Sequence, residues 1–457
     1  MLKYNSNARN YLSIILFHAF LGLLFFLFPF FAKVYCAAIL VVGAYFIIKN
    51  KNRNEEALYA AAYIVGAEVL LRMTGGNLLY EIGKYGVIIF IVLGMFFKGF
   101  SKNAVAYWFY LVLLIPGVVI AITDLDYNED LRKSITFNIS GPLALGIAAL
   151  YTYQRKISSK QIDDLLLAIG LPIISCATYL FFYVPDVQDV ITSTQSNFEM
   201  SGGFGPNQVA TILGLGVFIY FSRMLFCSTN SLILLINLLI ALMLAFRGLV
   251  TFSRGGMITG LVMLLILLLF TSLKINRGGK LKISVFLLFI SISLLGVFTY
   301  SSIKTSGLIT NRYANQDALG RVKESQFSGR EEIIKSEIGF FMRSPIFGVG
   351  VAMGAKLRNE ASGLTILSHN EITRLLAEHG SLGILALFIL LFTPVVLYLD
   401  NSNNLYLFCF LAFWLLTINH AAMRLAAPGF IYALALLKVI RPDEKNPLPR
   451  KQIRDKR

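Results

Sequence analysis

Long apolar runs separated by short polar segments extend along most of the chain, and one large polar interruption lies late, from roughly Lys304 to Glu378. A helix needs about 20 mostly apolar residues to cross the hydrocarbon core of a bilayer. In lipid, a helix also satisfies its own backbone polar groups. The pattern therefore predicts an all-α fold, a polytopic bundle of about 12 to 14 transmembrane helices with one large extracytoplasmic loop.

The predicted transmembrane segments cover residues 11–31, 33–49, 57–72, 80–98, 105–123, 138–153, 162–184, 206–222, 230–251, 255–273, 282–303, 380–398, 404–419 and 425–440. The first run is too long for the apolar region of a signal peptide and lacks a small-residue cleavage site, so we expect it to be retained. The predicted organisation is transmembrane helices 1 to 11 in 1–303, an extracytoplasmic catalytic loop in 304–379, helices 12 to 14 in 380–440 and a basic tail in 441–457.

Composition and charge agree with a membrane protein. Hydrophobic residues make up 56% of the chain and charged residues only 14%, with a mean hydropathy of +0.69. A net charge of +16 could indicate a nucleic-acid partner, but the cations lie mainly in short loops on one side. By the positive-inside rule, both termini are predicted to be cytoplasmic and the long loop extracytoplasmic. No nucleic-acid partner is therefore expected.

Neither a disulfide framework nor a zinc site is predicted, because the four cysteines lie in or beside apolar segments and form no CxxC pair. Asp124 and Asp126, in a predicted outer loop, could bind a divalent metal, but two solvated turn aspartates explain the D-x-D pattern equally well. We therefore predict no metal and no cofactor.

Two predicted helices in the polar interruption carry candidate functional residues. Ser328-Gly329-Arg330-Glu331 has the spacing of a capping box, and apolar residues at 334, 338 and 341 predict an amphipathic helix that opens at Arg330 and ends before Pro345. A second box, Ser368-His369-Asn370-Glu371, predicts a helix start at His369, with Arg374 and Glu378 at i,i+4 spacing. The alternative is two solvated helices lying on the membrane surface.

Charged residues also occur in the apolar segments. Arg254 lies at the boundary of two apolar runs, where it could bind a ligand or only extend to the headgroups. Arg247, seven residues earlier on the same helix face and deeper, needs a partner. Glu68 and Arg72 are predicted to form a structural ion pair. The sequence 347–350, Phe-Gly-Val-Gly, is similar to a phosphate loop but has no strand before it, so we reject that interpretation.

Arginines and a histidine that converge at the membrane surface suit the displacement of a lipid-linked diphosphate by a sugar hydroxyl. Guanidinium groups bind phosphate oxygens bidentately and stabilise the charge of the leaving group. A histidine, with a reference pKa of about 6.5, can accept the proton of the hydroxyl at neutral pH. This chemistry requires Arg254, Arg330 and His369 to lie close together.

Three separated motifs resemble those of the O-antigen ligase and O-antigen polymerase superfamily. They are Ser253-Arg254-Gly255, Ser328-Gly329-Arg330 with the segment 344–350 after it, and His369-Asn370 followed by Glu378-His379-Gly380 and Gly383. The similar region begins near the segment 203–207, Gly-Phe-Gly-Pro-Asn, and continues to the final transmembrane segments. The first five segments carry no assignable motif.

The resemblance implies a metal-independent, inverting glycosyltransferase in the bacterial inner membrane, with its active site on the periplasmic side and an undecaprenyl-diphosphate-linked glycan as donor. By the resemblance, Arg254 and Arg330 bind the diphosphate, His369 activates the acceptor hydroxyl, and Glu378 supports the site together with Asn370. Arg247 is added as a substrate-binding candidate because of its depth and helical phase.

The acceptor stays open at this stage, because lipid A-core, a second lipid-linked glycan and a protein all suit the same donor chemistry. The absence of an extra soluble domain favours polysaccharide ligation or polymerisation over protein glycosylation. The alternative from another class is a transporter whose substrate path is lined by Glu68, Arg72, Arg247 and Arg254. The chain has no repeated halves and no matched pair of interrupted segments, which disfavours a transporter.

Overall fold

A computed structural model describes residues 8–123, 129–323, 330–362 and 368–440 of the 457-residue chain. The helices of its first half are α1 (Ala8–Leu27), α2 (Phe30–Lys49), α3 (Glu56–Met73), α4 (Ile82–Lys98), α5 (Val105–Thr123), α6 (Glu129–Thr152), α7 (Ser159–Tyr183) and α8 (Pro206–Phe226). Those of its second half are α9 (Ser231–Leu249), α10 (Arg254–Lys274), α11 (Arg277–Lys304), α12 (Leu308–Tyr313), α13 (Arg330–Arg343), α14 (Met353–Ser362), α15 (Glu371–Tyr398), α16 (Leu407–His420) and α17 (Ala427–Ala435).

Ten of the described helices are long and apolar enough to cross a membrane, and α16 is a shorter apolar helix. The prediction of an all-α, polytopic helix bundle is therefore confirmed. Of the predicted loop, 304–379, the structure describes α12, α13, α14 and the first turns of α15. We call the end of the bundle where α11 ends and α15 begins the loop end.

The opposite end of the bundle is closed by a short strand pair that the sequence did not predict. Strand β1 (Lys156–Ser158) follows α6, and strand β2 (Lys438–Ile440) follows α17. The two strands pair in parallel, with Ile157 opposite Val439. This pair joins the middle of the chain to residues close to its end.

Helices α8 and α10 pack in parallel with very little space between their backbones. A Cβ atom on Gly256 would lie 2.2 Å from the carbonyl carbon of Ala210, and one on Gly260 would lie 2.3 Å from the carbonyl oxygen of Gly214. Such close contact between helices in membranes requires small residues. The register puts the first residues of both helices, Pro206 and Arg254, at the same level of the loop end.

The prediction of a spanning helix over 425–440 is wrong. Helix α17 has only nine residues, about 14 Å at 1.5 Å per residue. It is separated from α16 by a buried non-helical segment, residues 421–426, which we call the broken turn. Non-helical backbone at membrane depth is tolerated where it is buried in protein or lines a cavity. The hydropathy of this region therefore reflects burial among other helices rather than a single crossing of the bilayer.

Candidate active site

Arg254 is the first residue of α10 and is half-buried. Its Nη1 donates a hydrogen bond to the carbonyl of Arg312 in α12 at 3.3 Å. Arg312 in turn donates from Nε to the carbonyl of Phe252 at 2.9 Å and from Nη2 to Oγ of Ser196 at 3.3 Å. These bonds fix α12, a part of the long loop, on the start of α10.

Lys323 brings a third cation to this place. Its Nζ donates to Oγ1 of Thr194 at 2.8 Å. Partial burial lowers the pKa of the Lys323 ammonium, and the charges of Arg312 and Arg254 lower it further, while Asp317 partly opposes them. We call Arg254, Arg312 and Lys323 the cationic cluster.

Sequence patterns predicted Arg254 as a site residue but not the other two members of the cluster, Arg312 and Lys323. Arg312 lies 58 residues after Arg254, and no spacing rule joins them. Only the fold of the loop shows that they meet.

The start of α10 is tied to the start of α8 and to the end of α16. Oγ of Ser253 donates to Oδ1 of Asn207 at 2.8 Å, and Nδ2 of Asn207 donates to the carbonyl of His420 at 3.4 Å. Nε2 of His420 lies 3.2 Å from Oγ1 of Thr211. Helix N-termini carry partial positive charge, so α8 and α10 together favour an anion at this level.

The second candidate segment, His369-Asn370, reaches the same end of the bundle. Nδ2 of Asn370 donates to Oδ1 of Asn419 at 3.3 Å, and Asn419 is the neighbour of His420. His369 is half-buried and directly precedes Asn370. The structure therefore joins the Arg254 and His369 segments through the end of α16.

The start of α15 differs in detail from the predicted capping box. Asn370, rather than Ser368, is the N-cap residue, because its Oδ1 accepts from the amides of Ile372 at 2.9 Å and Thr373 at 3.4 Å. Oγ of Ser368 accepts from the Asn370 amide at 3.2 Å. An asparagine cap satisfies helix-start amides as well as a serine does, and it sets the first helical residue at Glu371.

Arg330 begins α13, as predicted, but its side chain lies outside the described part of the structure, as do Ser328 and Gly329. Glu337, seven residues later in the chain, is buried. It accepts from Oγ1 of Thr373 at 2.6 Å and pairs with Arg358 at 3.3 Å. These contacts hold α13 on α15.

The buried stripe of α13 is Ile333, Glu337 and Phe340. The predicted stripe was wrong at Ile338, which is 46% exposed. Burial raises the pKa of the Glu337 carboxyl, and the hydrogen bond from Thr373 and the charge of Arg358 partly oppose that shift. The buried carboxyl group of Glu337, which the sequence did not predict, thus holds α13 in place.

Glu378 lies in a buried ion network at the start of α15. Its Oε2 accepts from Nη1 of Arg374 at 2.6 Å and its Oε1 from the amide of Ala352 at 3.0 Å. Arg374 also pairs with Glu371 and donates to the carbonyl of Asn138 at 3.2 Å. The alternative of a solvated surface helix is therefore wrong for this segment. These contacts favour a positioning role for Glu378, and its role in substrate binding stays a prediction.

The segment 344–351 docks on a break in α15. Gly380 has φ +60° and ψ −139°, which interrupts the helix and frees carbonyl groups. The amides of Val349 and Gly350 donate to the carbonyls of Ala377 at 2.9 Å and Glu378 at 3.2 Å. The Phe-Gly-Val-Gly sequence therefore completes backbone hydrogen bonds of α15, in agreement with the rejection of a phosphate loop.

The other charged candidates have structural partners. Arg247 donates to the carbonyls of Val184 at 3.0 Å and Phe181 at 3.4 Å, at the end of α7. Cations at helix C-termini are stabilising. These bonds give the buried Arg247 guanidinium hydrogen-bond partners without a ligand, and substrate binding by Arg247 stays a prediction. The predicted ion pair of Glu68 and Arg72 is confirmed at 2.8 Å.

The transporter alternative gains no support from these contacts, because Glu68 and Arg72 neutralise each other while Arg247 binds carbonyls elsewhere. Asp124 and Asp126 lie outside the described residues. Among the residues that the structure does describe, no group of three or more His, Cys, Asp or Glu side chains is arranged to hold a metal ion.

Comparisons with known proteins bear on the family. No curated protein matches the chain. Residues 238–388 match a family model described as O-antigen ligase. The matched region contains Arg254, Arg330, His369 and Glu378, and it supports glycosyl transfer of the O-antigen ligase or polymerase type as the general activity of a multi-pass membrane protein. Over residues 238–388, this chain is therefore similar to the O-antigen ligase family, in agreement with the resemblance of its motifs.

Proposed function

We propose that the protein transfers a glycan from an undecaprenyl-diphosphate-linked donor to a sugar hydroxyl. The observation that carries the proposal is the convergence of Arg254, Arg312 and Lys323 at the loop end, beside the starts of α8 and α10. Cations and helix N-termini aimed at one place suit a group with several negative charges, such as a diphosphate. Arg330, at the start of α13, is the fourth cation assigned to this group.

The transfer forms a bond between the acceptor oxygen and the anomeric carbon of the donor and breaks the bond between that carbon and the diphosphate oxygen. The electron pair of the broken bond leaves with undecaprenyl diphosphate, where the cationic cluster stabilises it. The acceptor hydroxyl loses its proton to His369. Attack from the face opposite the leaving group inverts the anomeric carbon. Because arginines supply the positive charge, no metal ion is required.

Helix α15, which begins directly after the His369-Asn370 segment, supports this chemistry. Asn370 caps the helix directly after the histidine, and Glu378 with Arg374 holds the following turns. A base must be held within hydrogen-bond reach of the proton that it removes. We therefore assign Asn370 and Glu378 to the support of the acceptor subsite.

The proposed setting is the bacterial inner membrane, with both termini cytoplasmic and the loop end periplasmic. The isoprenoid tail would lie among the apolar helices while the glycan stays in water. The proposed acceptor is either lipid A-core, which makes the enzyme a ligase, or a second lipid-linked glycan, which makes it a polymerase. Transfer to a protein uses the same donor site and is the third outcome.

The test is release of undecaprenyl diphosphate by the purified protein from a lipid-linked oligosaccharide, with each acceptor class supplied in a separate reaction. Arg254→Ala should weaken donor use by roughly 10- to 150-fold, because a hydrogen bond to a charged group contributes about 1.5 to 3 kcal/mol. Arg321→Ala is the matched control, since that arginine is 74% exposed and pairs with Asp317. Equal activity of the two variants would contradict the proposal.

Two further measurements separate the parts of the mechanism. His369→Ala should abolish turnover while leaving the binding of undecaprenyl diphosphate intact, and full turnover by this variant would exclude the histidine as base. EDTA should leave turnover unchanged. A loss that Mn²⁺ restores would transfer the charge-stabilising role from the arginines to Asp124 and Asp126.

A further inference from the structure

The broken turn, residues 421–426, is held on both sides by carboxylates. The amide of Ala426 donates to Oε2 of Glu68 at 2.7 Å, and the amide of Met423 donates to Oε2 of Glu371 at 3.4 Å. Glu68 comes from α3 and Glu371 from α15. A buried turn needs internal partners for its backbone groups, and here carboxylate side chains of two different helices supply them.

Glu68 belongs to a buried network of four charged residues in α3 and α4 and the segment between them. Arg72 pairs with Glu68 at 2.8 Å and with Glu81 at 3.4 Å, and Lys84 pairs with Glu81 at 2.6 Å. The network has two positive and two negative charges and so is neutral in sum. Neutrality makes its burial tolerable, although ionised groups within membrane helices are costly and usually functional.

The network contacts the broken turn at a second point. Nη2 of Arg72 donates to the carbonyl of Arg424 at 3.3 Å, and the Arg72 guanidinium lies over the ring of Tyr80 at 4.8 Å. Both contacts restrict Arg72 to one place. The backbone around Arg424 is therefore held at two points, by Arg72 at the Arg424 carbonyl and by Glu68 at the Ala426 amide.

Arg424 connects the broken turn to the segment that contains His369. Its Nη2 donates to the carbonyl of Ser368 at 2.8 Å, and Ser368 directly precedes His369. Arg424, Ser368, Glu371 and Arg374 also line one cleft at the loop end. The bonds thus form a continuous path from α3, through the broken turn, to the residue before His369.

We propose that Glu68, Arg72 and Arg424 are positioning residues for His369. This inference rests on the proposed function of His369 as the base. The turn between α16 and α17 and the four-residue network beside it place the Arg424 guanidinium under the start of α15. There its bond to the Ser368 carbonyl holds the backbone that leads into His369.

The proposal also gives the early helices a role. Residues 56–84 lie far outside the region that matches the ligase family, 238–388. They contribute no group to the cationic cluster. Their contribution is geometric, because misplacement of a reacting group by about 1 Å can cost on the order of 100-fold in rate.

The test compares kcat and KM for the lipid-linked donor in the full-length protein. Glu68→Gln and Arg424→Lys should each lower kcat by about tenfold or more, because a base that is no longer held in place reacts slowly even when the donor is bound. The KM for the donor should change by less than about threefold. Arg424→Lys is included because Arg424 is only half-buried, so this variant should fold even if Glu68→Gln does not.

Glu55→Gln is the matched control. Glu55 is also a buried glutamate in an ion network, with Lys98 at 2.7 Å and Arg155 at 3.6 Å, but it lies before α3, at the end of the bundle away from the loop. Its kcat should stay within about twofold of the parent value. Equal losses of kcat in the Glu55 and Glu68 variants, or an unchanged kcat in Arg424→Lys, would overturn the positioning role.

Arg254→Ala in the same series distinguishes the two proposals. Inactivity of Arg254→Ala together with full activity of Glu68→Gln and Arg424→Lys would refute only the positioning role. Full activity of Arg254→Ala would refute the proposed function itself.

Discussion

Gly380 offers a quantitative test of how the loop is joined to the bundle. In Gly380→Ala, the new Cβ would lie 2.6 Å from the carbonyl oxygen of Ile346 and 2.7 Å from the amide nitrogen of Gly348. The backbone at φ +60° and ψ −139° also disfavours any side chain, at a cost of about 1 to 3 kcal/mol. We expect the segment 344–351 to detach from α15, since both the contact and the backbone oppose docking.

The loss on detachment can be estimated from the hydrogen bonds that join the two segments. Three backbone bonds, from Ser381 to Pro345 and from Val349 and Gly350 to α15, would be exchanged for bonds to water at about 1 kcal/mol each. Because strain and bond loss are alternatives rather than additive, the cheaper of the two sets the expected destabilisation of docking, about 1 to 3 kcal/mol.

Hydrogen exchange followed by mass spectrometry measures this change directly. A loss of 2 kcal/mol should accelerate exchange of the amides in 344–351 by about 30-fold. Gly296→Ala is the matched control, because Gly296 is helical and has no neighbour within 4 Å among the described atoms. It should leave the segment protected and change stability by about 1 kcal/mol or less. Equal protection of 344–351 in both variants would refute the docking argument.

Three more predictions follow from the same region. Burial raises the pKa of the Glu337 carboxyl above its unfolded value, so the contribution of Glu337 to the docking of α13 is fully present below the unfolded pKa and is lost as pH rises through the folded pKa. The protection factors of the α13 amides, which are corrected for the intrinsic pH dependence of exchange, should therefore fall as pH rises above the ordinary glutamate pKa of about 4.3 and should not depend on pH in Glu337→Gln. Asn370→Ala should lower the free energy of unfolding by about 1 kcal/mol and lower kcat, because the N-cap of α15 is lost, whereas Asn370→Asp should retain the cap. Equal kcat values for the two variants, with folding checked by circular dichroism, would contradict this prediction. Lys323→Met should weaken binding of undecaprenyl diphosphate more at low than at high salt in titration calorimetry, because part of the attraction is screened, and a salt-independent loss would argue against a charge role.

The sequence predicted most of the helices because long apolar runs have few alternatives in lipid. It also placed Arg254 at the start of α10 and Arg330 at the start of α13, since capping and charge patterns act locally. The same hydropathy was misleading at 425–440, where a nine-residue helix and a buried turn are as apolar as a spanning helix. Hydropathy measures exclusion from water and does not distinguish lipid from protein neighbours.

The candidate site was predictable only where its residues are close in sequence or carry a family motif. Arg312 and Lys323 join Arg254 through tertiary contacts that no local pattern encodes. The glycines at 348 and 350 follow a spacing known from phosphate loops, yet their positive φ values serve the docking of one backbone on the break of another. Whether such glycines bind a phosphate or dock on a break in a helix depends here on the carbonyls of α15, which are 27 or more residues away in the chain.

The contacts of the broken turn set an order of events during synthesis. Glu68 and Arg72 leave the ribosome early, but their partners at Ala426 and Arg424 follow 358 and 352 residues later. At the 5 to 20 residues per second of translation, α3 must wait for on the order of 20 to 70 seconds before the turn arrives. During that interval the ion pairs of Arg72 with Glu68 and Glu81 and of Lys84 with Glu81 can form, because all four residues have been made, but the backbone groups of the broken turn that complete the network are still missing.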